Sequence, residues 1–512
     1  MSSFPLSRAQ QALWFAQQIE PDVALNIAQY VELRGPIDVD ALIAATDHGC
    51  RELESPAVRL IDVAGEPHQL VDMSIPDALA YRDLRGSSDP VAEAHRWMTA
   101  DYSSPLDMMN DRLITATLLH LGHDHYYWYS RVHHLVMDGH GAMVLMNRVA
   151  ELYTHCVNGT EAPQSHAMSL RELHDSEEAY RQSSRYVKDQ DYWATRTEEL
   201  PAPVRLSQRA ASSGARLRVA GRMMDPEVAT QIEELARLWN SSEVPVVVAA
   251  FAAYLSRLTG TTDIVLTLPV SARTTAATRR SAGMVANTVP MRVRADPAVG
   301  IRELVRRVQL ELTGALRHQR FRSEDMRSAG CDPTRRDFGP RVNIMNFYRQ
   351  ITLDGVVGEF TVLPAGRVED LAVNLYPSVA GQATRVDFTA NPRLYSESEL
   401  SALLCRFMDF LASFTVAGPE DVLGALDVLT VDERTEATAG SLGVQPDARF
   451  LHELFLDRVA DCPDAVAVTL GEQSLTYAQL DERSAAVSTS LIEAGVVAGD
   501  IVAVALPQSP DL

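Results

Sequence analysis

The clearest pattern in the chain is a change of hydrophobic period in its second hundred residues. His125-Tyr126-Tyr127-Trp128-Tyr129-Ser130-Arg131-Val132-His133 is rich in aromatic and β-branched residues and predicts a strand. After Leu135, Asp138 and Gly139 the period lengthens. Ala142, Leu145, Val149 and Leu152 recur at steps of three and four, which puts them on one helical face, and the pattern fades at Asn158-Gly159. The segment reads as strand, tight loop, helix. Farther on, Leu170 to Arg181 is a charged helical stretch, and Glu198-Glu199-Leu200-Pro201-Ala202-Pro203 reads as the end of a bridge to a second lobe. Beyond it, Pro226 to Leu238 and residues 246–258 are helical by spacing, and 263–268 predicts a buried strand. Residues 417–449 turn acidic with scattered Gly and Thr, which predicts a linker, and a new amphipathic helix begins near Phe450. The pattern predicts an α/β fold with two lobes and the start of a third unit.

Composition narrows the function. A chain of 512 residues has room for about three domains. Hydrophobic residues at 46% and charged residues at 22% match globular usage, so most of it should fold. The net charge of −22 argues against nucleic-acid or anionic-membrane partners. Lys188 is the single lysine, so Schiff-base chemistry has one candidate and is set aside. Cys50, Cys156, Cys331, Cys405 and Cys462 are odd in number and scattered without a C-x-x-C pair, which fits a reducing cytosol. The N-terminus lacks basic and apolar signal regions, and the longest apolar run, 244–255, is too short for ~30 Å of hydrocarbon. A soluble, cytoplasmic chain is expected, with no membrane contact.

The candidate chemistry sits at the strand-to-helix turn, His133-His134-Leu135-Val136-Met137-Asp138-Gly139. Adjacent strand residues face opposite ways, so one histidine packs inward while the other reaches open space. Asp138 also suits a helix N-cap. No Cys or carboxylate set with ligand spacing lies nearby, so no metal is expected. Asp337-Phe338-Gly339 spells a kinase motif, but no glycine-rich phosphate loop or H-R-D element accompanies it, and a kinase is rejected.

The turn also carries H-H-x-x-x-D-G, and here the chain resembles the condensation domains of nonribosomal peptide synthetases, in the chloramphenicol acetyltransferase-like superfamily. Three other stretches agree in order: Pro5-Leu6-Ser7-Arg8-Ala9-Gln10-Gln11-Ala12-Leu13-Trp14, Gly283-Met284-Val285-Ala286-Asn287-Thr288-Val289-Pro290 and His318-Gln319. Two family motifs are poorly matched, at Cys50-Arg51-Glu52-Leu53-Glu54-Ser55-Pro56 and Arg335-Arg336-Asp337-Phe338-Gly339-Pro340. The resemblance covers roughly Phe4 to Thr430. From Phe450 the chain is similar to the start of an adenylation domain, whose L-T-Y-x-x-L element is Leu475-Thr476-Tyr477-Ala478-Gln479-Leu480. That family's phosphate loop and catalytic lysine lie beyond Leu512, which implies no amino-acid activation by this chain. The implied architecture is two acetyltransferase-like lobes, 1–175 and 176–430, in a V-shaped pseudo-dimer with a central tunnel. A linker at 431–449 and an adenylation fragment at 450–512 follow.

The resemblance further implies amide formation. The amine of an aminoacyl thioester on a downstream peptidyl carrier attacks an acyl thioester on an upstream carrier. Both substrates ride on phosphopantetheine of the partner carriers, and no cofactor is bound in this chain. His134, Asp138 and Gly139 take the reacting-centre positions. His133 and Arg273 take structural ones, with Arg273 pairing Asp138. His140, Asn287, Arg320 and Arg322 are expected along the tunnel or a carrier-docking surface, the arginines from a cluster between Arg302 and Arg341. The motifs begin at Pro5, so the donor is expected in trans. Together with Gln29-Tyr30-Val31-Glu32-Leu33, this arrangement is similar to the opening domain of enterobactin-type siderophore synthetases, which implies a hydroxybenzoyl donor on an aryl carrier. Ester formation, or carrier recruitment without catalysis, are the alternatives.

Overall fold

The computed structural model describes all residues except 1–2, 75–78, 208, 210–216, 329–337, 346–349, 365, 377–383, 440–449, 472, 507–508 and 510–512. It divides into two compact units, Met1–Thr430 and Val431–Leu512.

The first unit is organised by two six-stranded sheets. In the first, the strands run in the order Ile351–Leu353, Val356–Val362, Asn26–Arg34, His125–His133, Ile114–Gly122, Ala80–Asp83. The motif strand His125–His133 therefore lies inside the sheet, antiparallel to both neighbours. Its alternation explains the unbroken aromatic run. Tyr127 and Tyr129 face one buried cluster with Tyr30, Met98 and Leu119. Tyr126 and Trp128 face another with Val31, Leu42, Met146 and Val149. Both faces are covered, so both registers are apolar.

The second sheet runs Asn287–Arg294, Asp263–Val270, Arg341–Ile344, Leu371–Tyr376, Arg385–Ala390, Arg218–Met223. Several helices pack with it in the largest core, among them Glu243–Thr259, Ile301–Arg317 and Glu397–Val416. The first of these is buried continuously from Pro245 to Ser256 and ends at Gly260, whose φ of +70° suits a glycine C-cap.

The division expected at 175/176 does not partition the sheets. One helix, Leu170–Arg181, runs through that point. The hairpin Ile351–Leu353/Val356–Val362, from late in the chain, completes the first sheet, pairing Gly358 with Leu33 through Val362 with Gln29. It covers what would otherwise be an open strand edge. Gly358 is required there, because a Cβ would stand 2.2 Å from Val31 Cγ1.

The second unit holds the helix Val431–Ala439, where a linker was expected, the helices Leu451–Asp461 and Tyr477–Glu493, and the antiparallel hairpin Val466–Leu470/Gln473–Thr476. Residues 440–449 of the expected linker lie outside the described residues. Thr476 caps the last helix in a box with Gln479. No single described helix is long and apolar enough to cross a membrane.

Candidate active site

The motif strand ends where the main chain is held from both sides. His133 N donates to Leu113 O at 2.6 Å and His134 N to Leu25 O at 2.8 Å. The chain then turns and enters the helix Gly139–Val157, three residues earlier than the apolar spacing indicated, because Asp138 is its N-cap.

His133 points into the core. Its Nδ1 accepts from Leu135 N at 3.2 Å and its Nε2 meets Gln17 Oε1 at 3.2 Å. Those partners assign the single proton to Nε2. Burial first, then His134 and Arg131, push its pKa down to about 4, so it is a neutral structural residue.

His134 lines a cavity of about 1160 Å³ where the two sheets' lobes meet. Its Nδ1 is enclosed without a hydrogen-bond partner among the described residues. The ring therefore meets the cavity through its Nε2 edge. Burial lowers its pKa below the usual histidine value, and Arg341 adds to this. Asp138 and its own main-chain carbonyl oppose the shift. At neutral pH the ring is a neutral acceptor.

Asp138 is fully occupied elsewhere. Oδ1 accepts from Gly141 N at 2.8 Å. Oδ2 accepts from Arg273 Nη1 at 2.7 Å, Val285 N at 2.9 Å and Ala286 N at 2.8 Å. Burial pushes the carboxyl pKa up, but Arg273 and the N–H groups outweigh it and hold it below the usual value. Arg273 also donates through Nη2 to Gly283 O at 2.8 Å. The residue before it, Ala272, has φ +52°, and its N–H donates to Gln319 Oε1 at 2.9 Å. The acid expected at the reacting centre is thus a positioning residue. It ties the His134 turn to the second lobe, as the family resemblance implied for the Asp138–Arg273 pair.

Gly139 opens the helix and forms cavity wall beside His134, and His140 reaches across the lobes to Arg279 O at 3.1 Å. Asn287 and Arg322 line the same cavity as His134, whereas Arg320 is not among its lining residues, and each of the three is held by protein groups. Asn287 touches the cavity, but its amide braces a loop: Nδ2 donates to Gln319 O at 2.9 Å and Phe321 O at 2.7 Å, and Oδ1 accepts from Ser323 N. Arg320 lies 4.1 Å over the Tyr180 ring and donates to Ser176 O. Arg322 is buried, bonded to Ala286 O at 2.7 Å beside Glu177. Neither offers a free cation to a docking partner, because each guanidinium is held against protein groups. In the poorly matched late motif, Arg335, Arg336 and Asp337 lie outside the described residues, while Gly339 passes so close to Val265 O that a Cβ would stand 1.8 Å away.

Sequence reading missed Gly141. A Cβ there would stand 2.3 Å from Ala282 O, a main-chain atom of the facing lobe. The signal was present as the second glycine of Asp138-Gly139-His140-Gly141, but only the fold reveals what approaches it. Gly141→Ala should lose about 1–3 kcal/mol of stability and much of the activity, since the lobe seam must open to admit the methyl. Urea unfolding and single-turnover assays check this, and a normal midpoint would show the seam to be pliable.

A neutral imidazole on a turn locked between two α/β lobes, facing a cavity large enough for two converging substrates, is the layout of an acyl-transferring enzyme. The family model for the condensation domain matches residues 2–437, and the chain belongs to the condensation-domain family of nonribosomal peptide synthetases. The model for the AMP-binding enzyme matches residues 455–512. The isonitrile lipopeptide synthase of Streptomyces coeruleorubidus is 34% identical over 99% of this chain and 34% of that protein. The dimodular nonribosomal peptide synthase of Bacillus subtilis is 30% identical over 99% of this chain and 22% of its own length. Enterobactin synthase component F of Escherichia coli is 30% identical over 99% of this chain and 39% of its length. The chain thus spans about a fifth to two fifths of these relatives. Among solved structures, the starter condensation domain of rhizomide synthetase with C8-CoA and Leu-SNAC matches with TM-score 0.77 at 30% identity, covering 84% of this chain and 98% of that one. The first condensation domain of the CDA synthetase matches with TM-score 0.76 at 31% identity, covering 84% and 99%. Among the described residues no group of three or more His, Cys, Asp or Glu is placed to hold a metal.

Proposed function

We propose that this domain joins an acyl thioester on an upstream carrier to the α-amine of an aminoacyl thioester on a downstream carrier, each presented on its phosphopantetheine arm. The observation that carries the reading is the open Nε2 edge of His134 in the interlobe cavity, with Asp138 pinned away from it. The amine nitrogen attacks the thioester carbonyl carbon, the C–N bond forms, and the C–S bond breaks. The amine's surplus proton passes to His134 Nε2 and on to the departing thiolate. A free α-amine has a pKa of ~7.7–8.0, so a useful fraction is already neutral near pH 7.5. His134 therefore places the amine and accepts its proton as the tetrahedral species forms. Single-turnover assays with both carriers loaded test the reading. Absence of amide with every donor and acceptor pair would overturn it. A panel of hydroxybenzoyl-, fatty-acyl- and aminoacyl-loaded donors tests the hydroxybenzoyl expectation, and offering the donor in trans tests the arrangement.

The carriers' seat is better supported at the cavity mouth than at the arginine cluster. Phe15 (63% exposed) and Ile19 (68% exposed) lie one turn apart on the helix Arg8–Ile19, and Leu316 is exposed on Ile301–Arg317. All three border the cavity. Exposed apolar side chains beside a substrate entrance suit a partner's apolar helix face. Phe15→Ala with Ile19→Ala should raise the KM for a loaded carrier about tenfold. Turnover of a small soluble thioester should stay near normal. An unchanged carrier KM would move the docking site elsewhere.

A further inference from the structure

Arg273 follows closely on the strand Asp263–Val270, and the main chain reaches it through a left-handed residue. Ala272 is buried and has φ +52°. Left-handed backbone brings a Cβ too close to the following carbonyl oxygen, so an alanine leaves it for the ordinary regions unless its surroundings hold it there. The chain direction at Ala272 sets where the Arg273 side chain starts, and the guanidinium at its end meets Asp138 Oδ2 at 2.7 Å and Gly283 O at 2.8 Å. An alanine relaxed into helical or extended backbone would aim Arg273 elsewhere.

The Gln319 side chain holds Ala272 in this conformation. Its Oε1 accepts from Ala272 N at 2.9 Å, and its Nε2 donates to Leu316 O at 2.8 Å, which turns the amide so that the oxygen faces Ala272. The Gln319 main chain is fixed as well, because its O accepts from Asn287 Nδ2 at 2.9 Å.

His318, the other half of the His-Gln dipeptide, is anchored to the helix Ser184–Thr197. Its Nδ1 donates to Asp189 Oδ1 at 2.7 Å, its ring stacks on Tyr192 at 3.8 Å with 7° between the planes, and its O accepts from Trp193 Nε1 at 2.9 Å. Asp189 is 1% exposed and also accepts from Tyr180 Oη at 2.8 Å and Arg185 Nε at 2.8 Å. A buried carboxylate with three donors is a rigid post.

We propose that Gln319 is a positioning residue for condensation. Its side-chain oxygen keeps Ala272 left-handed, and this aims Arg273 at the carboxylate that ties the His134 turn to the second lobe. The Asp189–His318 pair keeps Gln319 opposite Ala272. Neither His318 nor Gln319 lines the cavity, so both act through Arg273. The inference rests on the condensation reading above.

The test compares the wild type, Gln319→Met, Ala272→Gly and the double variant Ala272→Gly/Gln319→Met with both carriers loaded. Gln319→Met keeps the length of the side chain and removes the acceptor. It should lower kcat about tenfold while the KM for each loaded carrier stays within about twofold, because a misaimed turn misplaces His134 and leaves the cavity mouth as it was. Glycine adopts left-handed backbone without a steric penalty, so the double variant should recover kcat to within about threefold of Ala272→Gly. Melting gives a readout independent of turnover. Ala272→Gly should raise the midpoint of Gln319→Met by more than it raises that of the wild type, since only the former has lost the clamp. His318→Phe keeps the stack on Tyr192 and removes the Asp189 bond, and added to Gln319→Met it should lower kcat no further. If the wild type forms no amide with any donor and acceptor pair, the condensation reading fails, and the melting comparison still decides whether Gln319 clamps Ala272. If amide forms and folded Gln319→Met keeps a normal kcat, or Ala272→Gly raises both midpoints equally, the positioning role fails while condensation stands. A further loss of kcat from His318→Phe would remove His318 from the chain of support.

Discussion

Replacing His134 with alanine should lower condensation by ~10²- to 10⁴-fold while leaving thermal melting unchanged. The ring meets the cavity and its buried nitrogen has no hydrogen-bond partner among the described residues, so truncation breaks no such bond. His133→Ala should do the reverse. It removes the acceptor for Leu135 N and the partner of Gln17, so melting falls first and activity follows. The pH profile separates base from substrate. Burial holds the His134 pKa below the usual 6.5, so its loss of base function begins only below that pH. A limb between pH 7 and 8 should instead track the acceptor amine and move when an acceptor of different basicity is offered. Near-normal single-turnover formation of amide by folded His134→Ala would overturn the assignment.

The parts of this site that the sequence made legible are those built from neighbours in the chain. The motif strand and its helix are fixed by local alternation and by Asp138 as N-cap, so their existence and order could be read directly, with the helix start displaced by one turn. That one of His133 and His134 faces inward and the other outward follows from strand geometry, while which does which was legible only through resemblance. The Asp138–Arg273 pair was legible only through resemblance, since 135 residues separate its members.

What was illegible depends on distant segments meeting. Nothing in the period of Val356–Val362 reveals that it will close the first sheet against Asn26–Arg34. Arg320 and Arg322 read as a surface cluster because charge spacing is local, whereas their burial depends on Tyr180, Glu177 and Ala286. Gly141 is needed because of Ala282, and Asn287 is a brace because of Gln319 and Phe321. Gln29 and Ser130 each read as an ordinary strand residue, and only their pairing in register puts two unsatisfied atoms together.

Asp138→Ala should destabilise the domain by about 3–5 kcal/mol and abolish activity as a consequence. It leaves the buried Arg273 guanidinium uncompensated and orphans the N–H groups of Gly141, Val285 and Ala286 together. Arg273→Ala should cost less, because those three N–H groups still hold the carboxylate in place. The double mutant should fall short of the sum by about 0.5–3 kcal/mol, since neither charge then remains unpaired. Acid adds a second signature. The folded carboxyl titrates below its ordinary value, so its contribution is fully present above about pH 4 and is lost as pH falls through the depressed pKa. Asp138→Asn should remove that acid-dependent component. Urea unfolding of the wild type and the four variants at neutral and acid pH measures every term. Strict additivity, or equal losses for Asp138→Ala and Arg273→Ala, would mean that the main-chain N–H groups are not what fixes the carboxylate and that the lobes are joined by other contacts.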